Sequence, residues 1–111
     1  MVKVFFSLSD ERLALAMQGH AGYAAVGEDV VCAACSILAT TLAQMVVNGA
    51  EEGAFYAPPT LHLERGDAFV SCAPRADFRA ELLHDFYMAQ VGFALLQREY
   101  PQCIELSVVE G

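Results

Sequence analysis

The alternation of apolar and polar residues divides the chain into five short apolar segments and two long ones. The short segments are rich in Val, Leu and Phe and predict strands. They cover residues 2–8, 13–19, 60–64, 68–72 and 103–109. A polar break separates the first two segments, and Arg65-Gly66-Asp67 separates the third from the fourth, so each pair predicts a hairpin.

The two long segments predict helices. Residues 30–48 are apolar on nearly every side and predict a buried helix, with Asp29 as its N-cap and Asn48-Gly49 as its end. Its apolar face comprises Val31, Cys35, Leu38, Leu42 and Met45. Residues 78–99 predict a second helix, which Asp77 can cap. Its inner face comprises Phe78, Leu82, Phe86, Phe93 and Leu96.

These elements follow one another in the order β-β-α-β-β-α-β. Hairpins with intervening helices are typical of an α+β fold, here with a mostly antiparallel sheet and two helices. A chain of 111 residues has the length of one domain, so we predict a single domain over residues 1–111.

Composition and charge narrow the range of partners. Hydrophobic residues make up 56% of the chain, which leaves apolar surface that a homo-oligomer could bury. The net charge of −8 argues against nucleic-acid binding and favours a basic partner. The alternative interpretation is that the charge only keeps an apolar protein soluble. Polar residues interrupt the apolar stretch 30–47, so we predict no membrane span.

The sequence contains four cysteines, whose redox state depends on the cellular compartment. We see no secretory signal at the start of the sequence, which predicts a cytoplasmic protein with reduced thiols. Cys32 and Cys35 form a CxxC pair, whereas Cys72 and Cys103 are isolated. Without a second CxxC or an HxxxH we predict no metal site and no cofactor.

One dense cluster of reactive groups lies in residues 19–36, which read GHAGYAAVGEDVVCAACS. Cys32 falls in the first turn of the predicted helix, where unpaired amides and the helix dipole favour a thiolate and an oxyanion. His20 ends a predicted strand, so the imidazole could reach the thiol as in a cysteine protease. The stretch between them holds Gly22, Tyr23 and Gly27 and predicts a mobile loop.

Each residue of this cluster also has a plainer interpretation. Cys32 could be a small core residue, and Asp29 could be a helix cap rather than a carboxylate that orients His20. Ser36 could hydrogen-bond within the helix or support the nucleophile. The CxxC of Cys32 and Cys35 leaves a redox protein open as an alternative, although a hairpin rather than a βαβ unit precedes it.

The cluster resembles the signature of the ribosomal-processing cysteine protease family, Prp. The matching residues are Gly19-His20-Ala21-Gly22-Tyr23, Gly27-Glu28-Asp29-Val30-Val31-Cys32-Ala33 and Ser36. Cys35 departs from the pattern, because a small apolar residue such as Val is more usual there. The element order, the length and Tyr100-Pro101 before the last strand extend the resemblance over most of the chain.

The resemblance implies a homodimeric α+β protease with Cys32 as nucleophile and His20 as base, and with supporting roles for Asp29 and Ser36. It implies that residues 21–28 move when substrate binds. The implied substrate is a ribosomal protein precursor, from which the enzyme removes a short N-terminal extension. Besides the redox protein, a second alternative function is that of a non-enzymatic adaptor in ribosome assembly. His62 and His84 are expected on the surface, outside the catalytic group.

Overall fold

The computed structural model describes residues 1–19, 28–64 and 66–111, and the side chains from Val30 onward in the first helix. Its elements follow the predicted order and confirm the α+β fold. They are β1 (Val2–Leu8), β2 (Leu13–Gln18), α1 (Glu28–Glu51), β3 (Thr60–Glu64), β4 (Asp67–Cys72), α2 (Ala76–Glu99) and β5 (Ile104–Glu110).

The strands form one mixed sheet in the order β3-β4-β2-β1-β5. Both predicted hairpins form, and β2 pairs with β4 to join them. The pairing of β1 with β5 is parallel, because α2 carries the chain back across the sheet before β5 begins. The sheet is therefore mostly antiparallel, with one parallel pair at its β5 edge.

The core lies between one face of the sheet and the two helices. Alternate residues of β1 and β2 are buried, so one face of each strand points to the helices and the other stays open. Phe6 is at the centre, with its ring in edge-to-face contact with Phe86 at 6.5 Å and Phe93 at 5.8 Å between centroids. Such aromatic pairs each contribute about 0.5–1.5 kcal/mol beyond the burial of area.

The helix α1 is apolar all round but buries only one stripe. The buried residues repeat at helical spacing and are Val31, Cys35, Ala39, Leu42, Ala43 and Val46. Met45, predicted to face inward, is exposed together with Val30 and Ile37. By length and mean hydropathy (2.1 over an 18-residue window within Val30–Glu51) α1 could cross a membrane, but here it packs against β4 and α2.

Both ends of α1 lie beyond the predicted ones. The helix begins at Glu28, so the backbone of Asp29 lies inside the first turn and Asp29 is not the N-cap. Gly49 is helical and buried. The Phe55 ring packs so close to it that a side chain at this position would collide with the ring. The helix ends instead at Glu51 and is capped by Gly53, whose φ of +74° suits glycine, and the Ala54 amide donates to the Gly49 carbonyl at 2.9 Å. This is a Schellman cap.

The second helix also begins earlier than predicted. It starts at Ala76, with Arg75 in the N-cap position and no side-chain hydrogen bond that caps the helix. Asp77 is therefore not the cap but lies in the first turn, where its negative charge interacts favourably with the helix dipole. Leu82, Phe86 and Phe93 are buried as predicted.

The strand β3 is exposed on both faces, since it forms the sheet edge and α1 barely reaches it. His62 is exposed as expected, with its Nε2 atom 3.3 Å from a carboxylate oxygen of Asp67.

Candidate active site

Cys32 lies near the start of α1, in the second turn of the helix rather than the predicted first turn. Because the helix begins at Glu28, Cys32 is its fifth residue, and the regular partner of the Cys32 amide is the Glu28 carbonyl. The first amides of an α-helix have no partner within the helix. Helical side chains lean toward the N-terminus, so the Cys32 side chain is expected to lean toward the first turn. It is partly exposed and packs against the edge of the core.

Gly19 controls the direction in which the chain leaves β2 toward His20. Its φ is +105°, and its amide donates to the Gly66 carbonyl at 2.9 Å. A side chain on Gly19 would collide with the Met1 carbonyl oxygen. The sequence pattern included this glycine in the resemblance, but its backbone conformation and close neighbour are visible only in the structure.

Several predicted site residues lie outside the described residues. They are His20, Gly22, Tyr23 and Gly27, together with the side chain of Asp29. The Cys32–His20 pair and the mobile loop therefore remain predictions. Ser36 stands one turn after Cys32 and is exposed, which leaves both of its predicted roles open.

Cys35 lies one turn after Cys32 but inside the core, with 1% of its surface exposed. Burial, with a smaller contribution from the charge of Cys32, raises the pKa of the Cys35 thiol to about 12. Cys35 is thus a neutral thiol at neutral pH, beside a partly exposed one. All four cysteines are free. Within residues 1–19, 28–64 and 66–111, no three His, Cys, Asp or Glu side chains are grouped as metal ligands.

The open face of the sheet carries a feature that sequence reasoning missed. Phe5, Ala16 and Phe69 are direct cross-strand neighbours on β1, β2 and β4. The two phenyl rings flank the small Ala16 in a shallow groove of about 460 Å³, which Gln18 also lines. Its only sequence signal is the adjacent pair Phe5-Phe6, which makes β1 apolar on both faces.

A partly exposed thiol near the start of a helix is a candidate for the nucleophile of a cysteine peptidase. The family model that matches this chain, over residues 1–105, is that of the cysteine protease Prp. The chain belongs to the Prp family. No curated protein is recognisably similar to it in sequence.

Solved structures share this fold at low identity. The essential ribosomal processing protease Prp from Staphylococcus aureus, in complex with a substrate peptide, is 18% identical, with a TM-score of 0.71 over 98% of this chain and 100% of that one. The same protease with a covalently linked product peptide is 20% identical, with a TM-score of 0.69 and the same coverage. SMU.848 from Streptococcus mutans is 19% identical, with a TM-score of 0.73 over 100% and 99% of the two chains.

We expect Gly19→Ala to destabilise the protein by about 2–3 kcal/mol, because alanine is strained at positive φ and its methyl group meets backbone rather than a movable side chain. Urea unfolding measures the change. Gly53→Ala is the matched control, since its φ is also positive but nothing lies within 4 Å of the added methyl group. It should cost about 1 kcal/mol. Equal losses in the two variants would contradict the predicted clash at Gly19.

Proposed function

We propose that this protein is a cytoplasmic endopeptidase that removes a short N-terminal extension from a large-subunit ribosomal protein precursor, with Cys32 as nucleophile and His20 as general base. The family match carries this proposal, because residues 1–105 include the whole cluster from Gly19 to Ser36. The position of Cys32 near the start of α1 and the partial exposure of its side chain support the role of nucleophile.

The reaction follows from these groups. His20 takes the Cys32 proton, and the thiolate attacks the scissile carbonyl carbon to form a tetrahedral oxyanion. Backbone amides in the first turn of α1 donate to that oxyanion. His20 then protonates the leaving amine, which departs and leaves a thioester on Cys32. Water, deprotonated by His20, hydrolyses the thioester and frees the thiol.

Two residues have supporting roles in this proposal. The Asp29 carboxylate orients His20 and stabilises its imidazolium form. Ser36, one turn beyond Cys32 on an exposed part of α1, supports the nucleophile from the solvent side. The net charge of −8 favours a substrate as basic as a ribosomal protein, since opposite charges speed the encounter.

The test is mass spectrometry of a synthetic peptide that spans the extension junction of the host's large-subunit ribosomal protein. We expect the wild-type protein to cleave it at one bond and to leave a peptide of the same composition in permuted order intact. If the folded protein leaves both peptides intact, the protease assignment is wrong, and the redox or adaptor function gains support.

We further propose that the enzyme is a homodimer that buries the outer surface of its helices. Large apolar side chains are exposed there side by side, since Ile37 of α1 and Leu95 of α2 line one shallow depression. Met88 and Val91 extend the same stripe of α2 toward its middle. A contiguous apolar patch of this kind marks a protein interface.

Val91→Lys is expected to turn the dimer into a monomer, because an ammonium group would be buried in an apolar contact. Light scattering coupled to size exclusion measures the mass. Phe5→Lys is the matched control, since Phe5 is also an exposed apolar residue but lies on the open face of the sheet. A monomeric wild type would refute the dimer, and a monomeric Phe5→Lys variant alone would place the interface on the sheet instead.

A further inference from the structure

Two thiols of unequal exposure lie one helical turn apart at the start of α1. Cys32 is partly exposed, and Cys35 is buried in the stripe that packs on the sheet. The peptidase mechanism uses only Cys32. Cys35 lies three residues later on the same side of the helix, so it is the thiol that the local backbone holds near the nucleophile.

Helix geometry brings the two residues close to bonding distance. A spacing of three residues separates Cα atoms by about 5 Å, which is within the range of disulfides. The Cβ atoms of such a pair are about 5–6 Å apart, somewhat more than the roughly 4 Å of a disulfide. A bond therefore requires the second turn of α1 to tighten toward 3₁₀ geometry, in which side chains three residues apart eclipse each other.

We propose that peroxide converts Cys32 and Cys35 into a reversible disulfide, which switches the peptidase off and protects Cys32 from irreversible oxidation. The inference rests on the proposed function, in which Cys32 is the nucleophile. The strain of a tightened helical turn makes the bond easy to reduce, and ease of reduction distinguishes regulatory disulfides from structural ones.

The chemistry takes two steps with peroxide as the oxidant. The Cys32 thiolate attacks one oxygen of hydrogen peroxide, the O–O bond breaks, and the products are a sulfenic acid and, after one proton is taken up, water. The Cys35 sulfur then attacks the Cys32 sulfur, and the S–O bond breaks. The departing hydroxide takes the Cys35 proton and leaves as a second water. Two electrons pass from the two sulfurs to the peroxide, and a thiol reductant returns them.

Cys72 does not share this placement. Cys72 precedes the segment that pairs with Phe55 just beyond the C-terminal end of α1, whereas Cys32 is in the second turn of that 24-residue helix. At 1.5 Å per residue, about 28 Å of helix separates Cys32 from the last residue of α1, so Cys72 lies toward the opposite end of that helix. Burial raises the pKa of Cys72 to about 12, as for Cys35, so Cys72 is a matched control in burial and ionisation.

The experiment treats wild type, Cys35→Val and Cys72→Val with hydrogen peroxide, then with dithiothreitol. We expect peroxide to stop peptide cleavage in all three proteins. Dithiothreitol should then restore the cleavage rate of wild type and Cys72→Val to at least about tenfold that of Cys35→Val. Intact mass should fall by two hydrogens where Cys35 is present, and peptide mapping should join Cys32 to Cys35. In Cys35→Val, Cys32 should instead gain two or three oxygen atoms.

Equal recovery of Cys35→Val, or a bond from Cys32 to Cys72 or Cys103, would overturn the inference. Cys35→Ala is the second variant if Cys35→Val fails to fold. The mass measurement needs no substrate, so it distinguishes a failure of the disulfide inference from a failure of the proposed peptidase function. Cleavage without the disulfide mass removes only this inference. A Cys32–Cys35 bond in a protein that never cleaves removes the proposed function and the switch that rests on it, and leaves the reversible disulfide.

Discussion

Replacing Cys32 with alanine is expected to reduce peptide cleavage by about 10⁴-fold or more while the protein stays folded. The size of the loss follows from the mechanism, because the covalent intermediate cannot form without the sulfur, and the remaining donors only position the substrate. Folding should persist because Cys32 is partly exposed at the edge of the core, and alanine is the best helix former. Product formation by mass spectrometry and far-UV circular dichroism are the two measurements.

The control for this variant is Cys35→Ala. It removes the neighbouring thiol, so it should keep cleavage if the protein is a peptidase and lose activity if the CxxC pair carries out redox chemistry. A Cys32→Ala variant that still cleaves would exclude Cys32 as nucleophile. One that no longer folds would support the interpretation of Cys32 as a core cysteine.

The second large effect concerns stability. Phe6→Ala should lower the free energy of unfolding by about 3–5 kcal/mol, since Phe6 is 0% exposed and its removal leaves a cavity against Phe86 and Phe93. For a domain with a typical stability of about 5–15 kcal/mol, this is a large fraction of the total. Urea unfolding, with the slope compared between variants, provides the measurement.

The adjacent residue supplies the matched control for Phe6→Ala. Phe5 belongs to the same strand and is the same residue type, but it is 42% exposed on the open face of the sheet. Phe5→Ala should therefore cost less than about 1.5 kcal/mol, because water already reaches the ring and no closed cavity forms. Similar losses at the two positions would mean that the open face is covered in solution, for example by a second copy of the chain.

The positions of the strands and their order along the chain could be predicted from the sequence, because each strand is marked by its own local pattern of apolar and polar residues. Residues 2–8 and 60–64 match β1 and β3 at both ends, and both hairpins are joined by short polar connections. The parallel pairing of β1 with β5 could not be predicted, since it depends on how α2 packs across the sheet. Helix ends were predicted less well, because caps depend on backbone angles such as the positive φ of Gly53.

The candidate site divides in the same way. The residues from Gly19 to Ser36 indicate a thiol nucleophile and a histidine base from sequence alone, because they match the signature of a family whose chemistry needs those two residue types. The sequence could not place Cys32 in the second turn of α1. It also could not show that Cys35 is buried while Cys32 stays partly exposed, since burial depends on how α1 rests on the sheet.

By itself the sequence determined the α+β order of elements and the family, both of which follow from local periodicity and from the residues of one motif. Only the tertiary structure decided which side of the apolar helix α1 is buried and that Phe6 rather than Phe5 is in the core. The physical reason is that hydrophobic pattern describes each segment alone. The surface that a segment buries depends on the neighbours that long-range packing brings to it.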